Sequence, residues 1–172
     1  ATDFKELKKI IKLLKIKQKK KKIVILHCIS YYPTKTEELN LSVIKKYKKS
    51  FGIDIGFSDH SLSLISGSIA VSLGANVIEK HITLDKNLEG PDHKASLNPK
   101  ELDLYIKNIR DAEKMFGDGN RVLLKKEKKV KISMQKSIYL NNDKKKNEKT
   151  SEKDLIIMRP SKSIKPYNIS KI

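Results

Sequence analysis

The stretch IDIGFSDHSLSLISGSIAVSLGANVIEKHI, residues 53–82, decides the fold. It opens with a short apolar run, Ile53 to Phe57, that ends in Ser58, Asp59 and His60. A helical spacing follows from about Leu62 to Leu73 and stops at Gly74, where glycine suits the left-handed position after a helix. A second run, Asn76 to Ile82, then ends in Glu79-Lys80-His81. Strand, helix, strand in about thirty residues is the pattern of two parallel strands joined by a crossover helix.

The same cycle extends in both directions. Upstream, Ile23-Val24-Ile25-Leu26 is a continuous β-branched run, the pattern of a strand buried on both faces. A helix from about residue 3 to 16 precedes it, with Leu7, Ile10, Ile11 and Leu14 on one stripe and Asp3 with Glu6 as a capping box. A basic turn, Lys17 to Lys22, joins the two. Between the first two strands, Glu37 to Ser50 reads as a helix carrying Leu41, Ile44 and Tyr47 on one side and ending near Gly52. Downstream, Asn98 is a cap and Pro99 a first helical residue; Ile106, Ile109 and Ala112 share a face, and Gly117 ends the helix. The result is an α/β chain with three βα units after a leading helix. A doubly wound sheet would carry a glycine-rich phosphate loop after its first strand, and none is present. A closed (β/α)8 barrel needs eight units and roughly 250 residues. The units therefore make either a small open sheet or the last stretch of a barrel.

Composition narrows the function. With 172 residues, 38% hydrophobic and 34% charged, the chain can build one domain plus an appendage. No apolar run approaches the ~20 residues that span a bilayer, and the first residues lack a signal-peptide pattern. The single cysteine, Cys28, excludes an intrachain disulfide and fits a reducing, cytoplasmic setting. The net charge of +18 raises nucleic acid as a partner. Only Arg110, Arg121 and Arg159 are arginines, however, and base-stacking aromatics are not interleaved with the lysines, so a lysine-biased composition is the favoured account. After Asp118-Gly119 the character changes. Residues 121–133 read as a lysine-rich linker, Ile132 to Leu140 as a strand, 141–153 as a solvated loop and Asp154 to Arg159 as a further strand. This appendage has too few apolar positions to bury a core alone.

Chemistry is expected where the strands end. Side chains two apart on a strand share a face, so Ser58 pairs with His60 and Glu79 with His81. If those strands are neighbours their ends lie about 4.8 Å apart. His60 and His81 can then converge on one divalent ion at roughly 2.1 Å, with positions left open for a substrate. That each is simply a hydrogen-bonded histidine stands as an equal reading. His27 is read as a satisfied core histidine or a ligand, Cys28 as a small buried hydrophobe, and His93 as a substrate contact or an exposed loop residue. Asp92, held by Gly90-Pro91, can meet a polyol or be a surface carboxylate.

Leu26-His27-Cys28, Tyr32-Pro33, Gly56-Phe57-Ser58-Asp59-His60, Ile78-Glu79-Lys80-His81 and Gly90-Pro91-Asp92-His93-Lys94-Ala95-Ser96 resemble, in order and spacing, the sialic acid synthase family from about residue 2 to 119. Met158-Arg159-Pro160 is similar to the Arg-Pro motif of the antifreeze-like (SAF) domain that follows the barrel in that family. The resemblance implies the last three βα units of a (β/α)8 TIM barrel (1–120), a linker (121–133) and an incomplete SAF β domain (134–172). It implies condensation of phosphoenolpyruvate with an N-acetylated amino sugar, giving a nonulosonic acid and phosphate. His60 and His81 would hold manganese, with magnesium or cobalt as alternatives. Ser30 and Ser58 would lie against phosphoenolpyruvate, and Tyr32, Glu79 and Asp92 against the sugar. Arg159 would reach the site of the second protomer of a homodimer. Departures are Ile29, where a hydroxyl residue is common, and Ser161 and Ser163 in place of glycines. The first five strands of the barrel, with the general base and the phosphoenolpyruvate-binding lysines, have no counterpart, so the chain alone is expected to be inactive. Legionaminic and pseudaminic acid synthesis are the rival activities within the family. A gene remnant or a basic nucleic-acid-binding protein is the rival outside it.

Overall fold

The computed structural model describes residues 2–17 and 23–171, which form two units that divide between Gly119 and Asn120. Most of the basic turn at 17–22 lies outside the described residues.

The first unit opens with α1 (Phe4–Lys17), whose Asp3 carboxylate accepts the Glu6 N–H at 2.8 Å. β1 (Val24–Cys28), β2 (Asp54–Asp59) and β3 (Val77–Lys80) form a parallel sheet in the order β1-β2-β3. Between the strands lie α2 (Ser42–Phe51) and α3 (Ser66–Ser72); α4 (Pro99–Phe116) follows β3. The ladder places Ser58 opposite Glu79 and Asp59 opposite Lys80, and Cys28 opposite Ser58. The strands of the site are therefore direct neighbours.

β2 alternates, and the alternation sorts the unit. Ile55 and Phe57 are buried under α2 and α3 in a cluster with Leu39, Leu41, Ile44, Ala70 and Ala75. A second cluster, Leu97, Tyr105 and Ile109, lies under α3 and α4. Full burial of a side chain such as Ile44 contributes about 1.5–3 kcal/mol. Helix ends follow local chemistry. Gly52 closes α2 at φ 60°, ψ 34°, and at α4 the Asn98 side chain accepts the Glu101 N–H at 3.0 Å while Glu101 accepts the Asn98 N–H at 2.9 Å. Gly67 of α3 has another reason: a β-carbon there would lie 2.6 Å from the Tyr105 ring.

Three sequence expectations need correction in this unit. β1 is not buried on both faces; Val24 is exposed, because β1 pairs only with β2 among the described residues. The α2 region is interrupted: Thr36–Glu38 forms a 3-10 turn, and the α-helix begins only at Ser42. On α4 the buried positions are Tyr105 and Ile109, whereas Ile106 is exposed.

The second unit contains α5 (Lys125–Met134) and an antiparallel pair, β4 (Ser137–Leu140) with β5 (Leu155–Met158). The segment expected to be a linker is largely helical. Its lysines are good helix formers, and Glu127 accepts the Leu124 N–H at 2.8 Å while pairing with Arg121. Residues 132–134 belong to that helix, which is why the strand starts at Ser137. Ile138 is the one buried apolar side chain among the unit's described residues. Polar ties supplement it: the Ile138 N–H donates to Ile164 O at 2.8 Å, and Ser137 Oγ donates to Ser163 O at 3.1 Å.

Candidate functional site

The site grows from the alternation of β2 and β3. Ser58 and His60 point away from the helices, while Asp59 between them points toward α3 and α4. Ser58 Oγ donates to Glu79 Oε1 at 2.6 Å, so the register pair is also a side-chain pair. His60 Nδ1 lies 2.8 Å from Ile29 O. A carbonyl only accepts, so this nitrogen carries the proton and Nε2 keeps the lone pair in the neutral ring. Ser58 Oγ is 3.3 Å from that Nε2, but its one proton is committed to Glu79.

The second histidine arrives from the end of β3. The His60 and His81 ring centroids are 5.4 Å apart at 77°. Tyr32 closes one side, stacked on His60 at 4.1 Å and edge-on to His81 at 5.2 Å. His81 Nδ1 lies 3.9 Å from Asp92 Oδ2. Partial desolvation, with negative charge at Asp92, Cys28 and Glu79, raises the Tyr32 phenol above its ordinary value. Ser30 Oγ is 3.9 Å from Cys28 Sγ, at the mouth of β1.

Seven of the eight residues singled out in the sequence thus meet at one end of the sheet: Ser30, Tyr32, Ser58, His60, Glu79, His81 and Asp92. Arg159 belongs to the second unit, directly after β5. Three other readings are decided. His27 is a satisfied core histidine, 7% exposed, with Nε2 2.8 Å from Leu39 O and its ring 6.1 Å from Phe57. Cys28 is not buried in the apolar core; its sulfur lies 3.8 Å from the His60 ring, because it shares the face of Ser58. His93 is held rather than free, with Nδ1 2.7 Å from Thr83 Oγ1.

The segment carrying Asp92 and His93 is clamped at its base. Thr83 N–H donates to Leu97 O at 2.9 Å and Leu97 N–H donates to His81 O at 3.0 Å, around a parallel bridge between Ile82 and Leu97.

Behind the site lies a cluster to which the sequence assigned no role. Asp59, fully buried, makes an ion pair of 3.2 Å with Lys80, whose side chain is 4% exposed. Asp59 Oδ1 accepts from Ser61 N–H at 2.9 Å and Ser61 Oγ at 2.7 Å; Oδ2 accepts from Ser66 Oγ at 2.5 Å and Tyr105 Oη at 2.9 Å. Lys80 Nζ also donates to Ser61 O. Burial lowers the Lys80 ammonium from its usual value while Asp59 opposes the shift. Burial and the neighbouring carboxylate push the Tyr105 phenol strongly upward, so it stays a donor.

Among the described residues no group of three or more His, Cys, Asp or Glu is placed to hold a metal. Any ion on the His60–His81 pair would have two protein ligands from this chain and open positions. A hydrogen-bonded second nitrogen, as on His60, is what a ligating imidazole commonly has.

A model of the NeuB family matches residues 1–121. The chain belongs to the NeuB family. It is 44% identical over 146 residues to the N,N'-diacetyllegionaminic acid synthase of Campylobacter jejuni, covering 85% of this chain and 44% of that one. It is 40% identical over 161 residues to a pseudaminic acid synthase of the same species, covering 94% and 46%. Among solved structures it is similar to the N-acetylneuraminic acid synthetase of Leptospira borgpetersenii, with a TM-score of 0.66 and 33% identity over 75% of this chain and 45% of that one. The chain spans less than half the length of the curated relatives it matches. The α/β fold with its parallel sheet is that of sialic acid synthase structures, and NeuB relatives are synthases of sialic, legionaminic and pseudaminic acids. No helix among the described residues is long and apolar enough to cross a membrane.

Proposed function

We propose that these residues form part of the active site of a nonulosonic acid synthase, which condenses phosphoenolpyruvate with an N-acetylated amino sugar aldehyde. The methylene carbon of phosphoenolpyruvate bonds to the aldehyde carbon, water adds at its carbon 2, and phosphate leaves. The observation that carries the reading is the meeting of Ser58, His60, Glu79 and His81 at the ends of β2 and β3 with Tyr32 from the segment after β1.

His60 and His81 would hold a divalent ion, manganese first and magnesium or cobalt as alternatives. When bound, it would act as a Lewis acid on the sugar carbonyl. Ile29 O fixes the tautomer of His60 and so presents Nε2 as a ligand atom. Ser58 and Ser30 supply hydroxyls for phosphoenolpyruvate. Glu79, oriented by Ser58, and Asp92 supply carboxylates for the sugar hydroxyls, and Tyr32, stacked on His60, lines the same side. Arg159 reaches the N-acetyl group held by the second protomer of a homodimer. In this reading the first unit is the closing part of a (β/α)8 barrel and the second an incomplete SAF domain. The enzyme is cytoplasmic. The 172 residues alone do not turn over, since β1 and β3 leave open edges among the described residues and the phosphoenolpyruvate-binding lysines of the family have no counterpart in them.

The test is phosphate release from phosphoenolpyruvate, by the protein as its own gene encodes it, with manganese and each of three sugars. These are N-acetylmannosamine and the diacetamido sugars leading to legionaminate and pseudaminate. Turnover with one of them, reduced roughly a thousandfold in His60→Ala, is the expected result. Wild-type rates in His60→Ala would remove the histidine pair from the chemistry.

A further inference from the structure

We propose that Asp59 and Lys80 are positioning residues that set the spacing of His60 and His81 from behind. The inference rests on the reading of the two histidines as metal ligands.

Asp59 lies between Ser58 and His60, and Lys80 between Glu79 and His81. Because β2 and β3 are in register, the two back-facing residues are paired, as are the two in front. The strand ends are thus latched on both faces, by Ser58–Glu79 in front and Asp59–Lys80 behind. The rear latch grips the backbone around His60. Asp59 Oδ1 takes the Ser61 N–H and hydroxyl, and Lys80 donates to the Ser61 carbonyl, so residues 59–61 form a closed turn with His60 at its centre. Asp59 Oδ2 takes Ser66 and Tyr105, which ties that turn to α3 and α4. With five donors around it the carboxylate has no alternative arrangement in a site that excludes water. The backbone of His60 and His81 has correspondingly little freedom to change the distance between the rings. A buried ion pair replaced by apolar groups is often no less stable. Stability alone therefore does not explain placing a charged pair between the two histidines. Fixed spacing of the ligands does.

The experiment measures manganese affinity by electron paramagnetic resonance and the visible spectrum of the cobalt-substituted protein, on the protein as its own gene encodes it. Lys80→Met and Tyr105→Phe are compared with Lys80→Arg and with Ile44→Val, a core variant remote from the site that reports what loss of stability alone does. Lys80→Met is expected to weaken manganese binding at least tenfold, in the range of roughly 10–100-fold seen when a ligand's supporting partner is lost, and to alter the cobalt spectrum. Tyr105→Phe is expected to weaken it about threefold, a fraction of one hydrogen bond. Lys80→Arg restores part of the affinity, and Ile44→Val leaves it unchanged. If Lys80→Met does not fold, Tyr105→Phe decides alone. Wild-type affinity and spectrum in Tyr105→Phe and in any folded Lys80→Met, while His60→Ala abolishes binding, would overturn the inference and spare the metal reading. Affinity indifferent to His60→Ala would overturn both.

Discussion

The two faces of the β2–β3 strand ends both carry polar residues but treat them differently. In front, Ser58, His60, Glu79 and His81 make one short hydrogen bond among themselves and otherwise present two rings and one exposed carboxylate. Behind, Asp59 and Lys80 are sealed from water and saturated with partners from four elements and the turn at Ser61. Residues one position apart in sequence are thus divided between groups with unused bonding capacity and groups with none. A site must leave capacity for a ligand, and the capacity is stable only if the backbone beneath it is fixed. The rear network provides that fixing.

Stability measurements can break this division. The largest effect is expected from Lys80→Met, which leaves the Asp59 carboxylate buried without its counter-charge; urea unfolding should show a loss of about 3–5 kcal/mol. A loss under 1 kcal/mol would mean that water reaches Asp59 and that the rear face is not sealed. Next comes Gly67→Ala, whose added carbon meets the Tyr105 ring at 2.6 Å. Displacing that ring should cost about 1–3 kcal/mol by the same assay. Smallest is Glu79→Gln in front, which keeps an acceptor for Ser58 at an exposed position and should shift stability by only about 0.5 kcal/mol. Its effect should appear instead in kcat/KM for the sugar, down roughly a hundredfold. A stability loss as large as that of Lys80→Met would erase the distinction between the faces.

The sequence made the front legible and the rear opaque for one physical reason. Alternation along a strand is local, so it places Ser58 with His60 and Glu79 with His81 without knowledge of any partner strand. The pairing of Asp59 with Lys80 exists only once the register between β2 and β3 is known, and a one-residue slip would abolish it. Helix α4 was legible because its cap, Asn98-Pro99-Lys100-Glu101, contains its own hydrogen-bond partners. The helix at Lys125–Met134 was hidden by its lysines, since a polar helix without an apolar stripe resembles a linker until Glu127 is seen to close its first turn. The position of Cys28 beside His60 again depended on register, this time between β1 and β2.

The clamp between residues 81–83 and Leu97 has a consequence of its own. To the remainder of the chain, a loop fastened at its base behaves as a short one, whatever its contour length. Lengthening such a loop costs little, about 0.6 kcal/mol for each doubling. Residues 84–96 can therefore be exchanged as a cassette, altering what Asp92 and His93 present, while the ends at His81 and Leu97 stay where the sheet holds them. For a family whose relatives are named as synthases of different acids, this clamp is a place where variation leaves the histidines undisturbed.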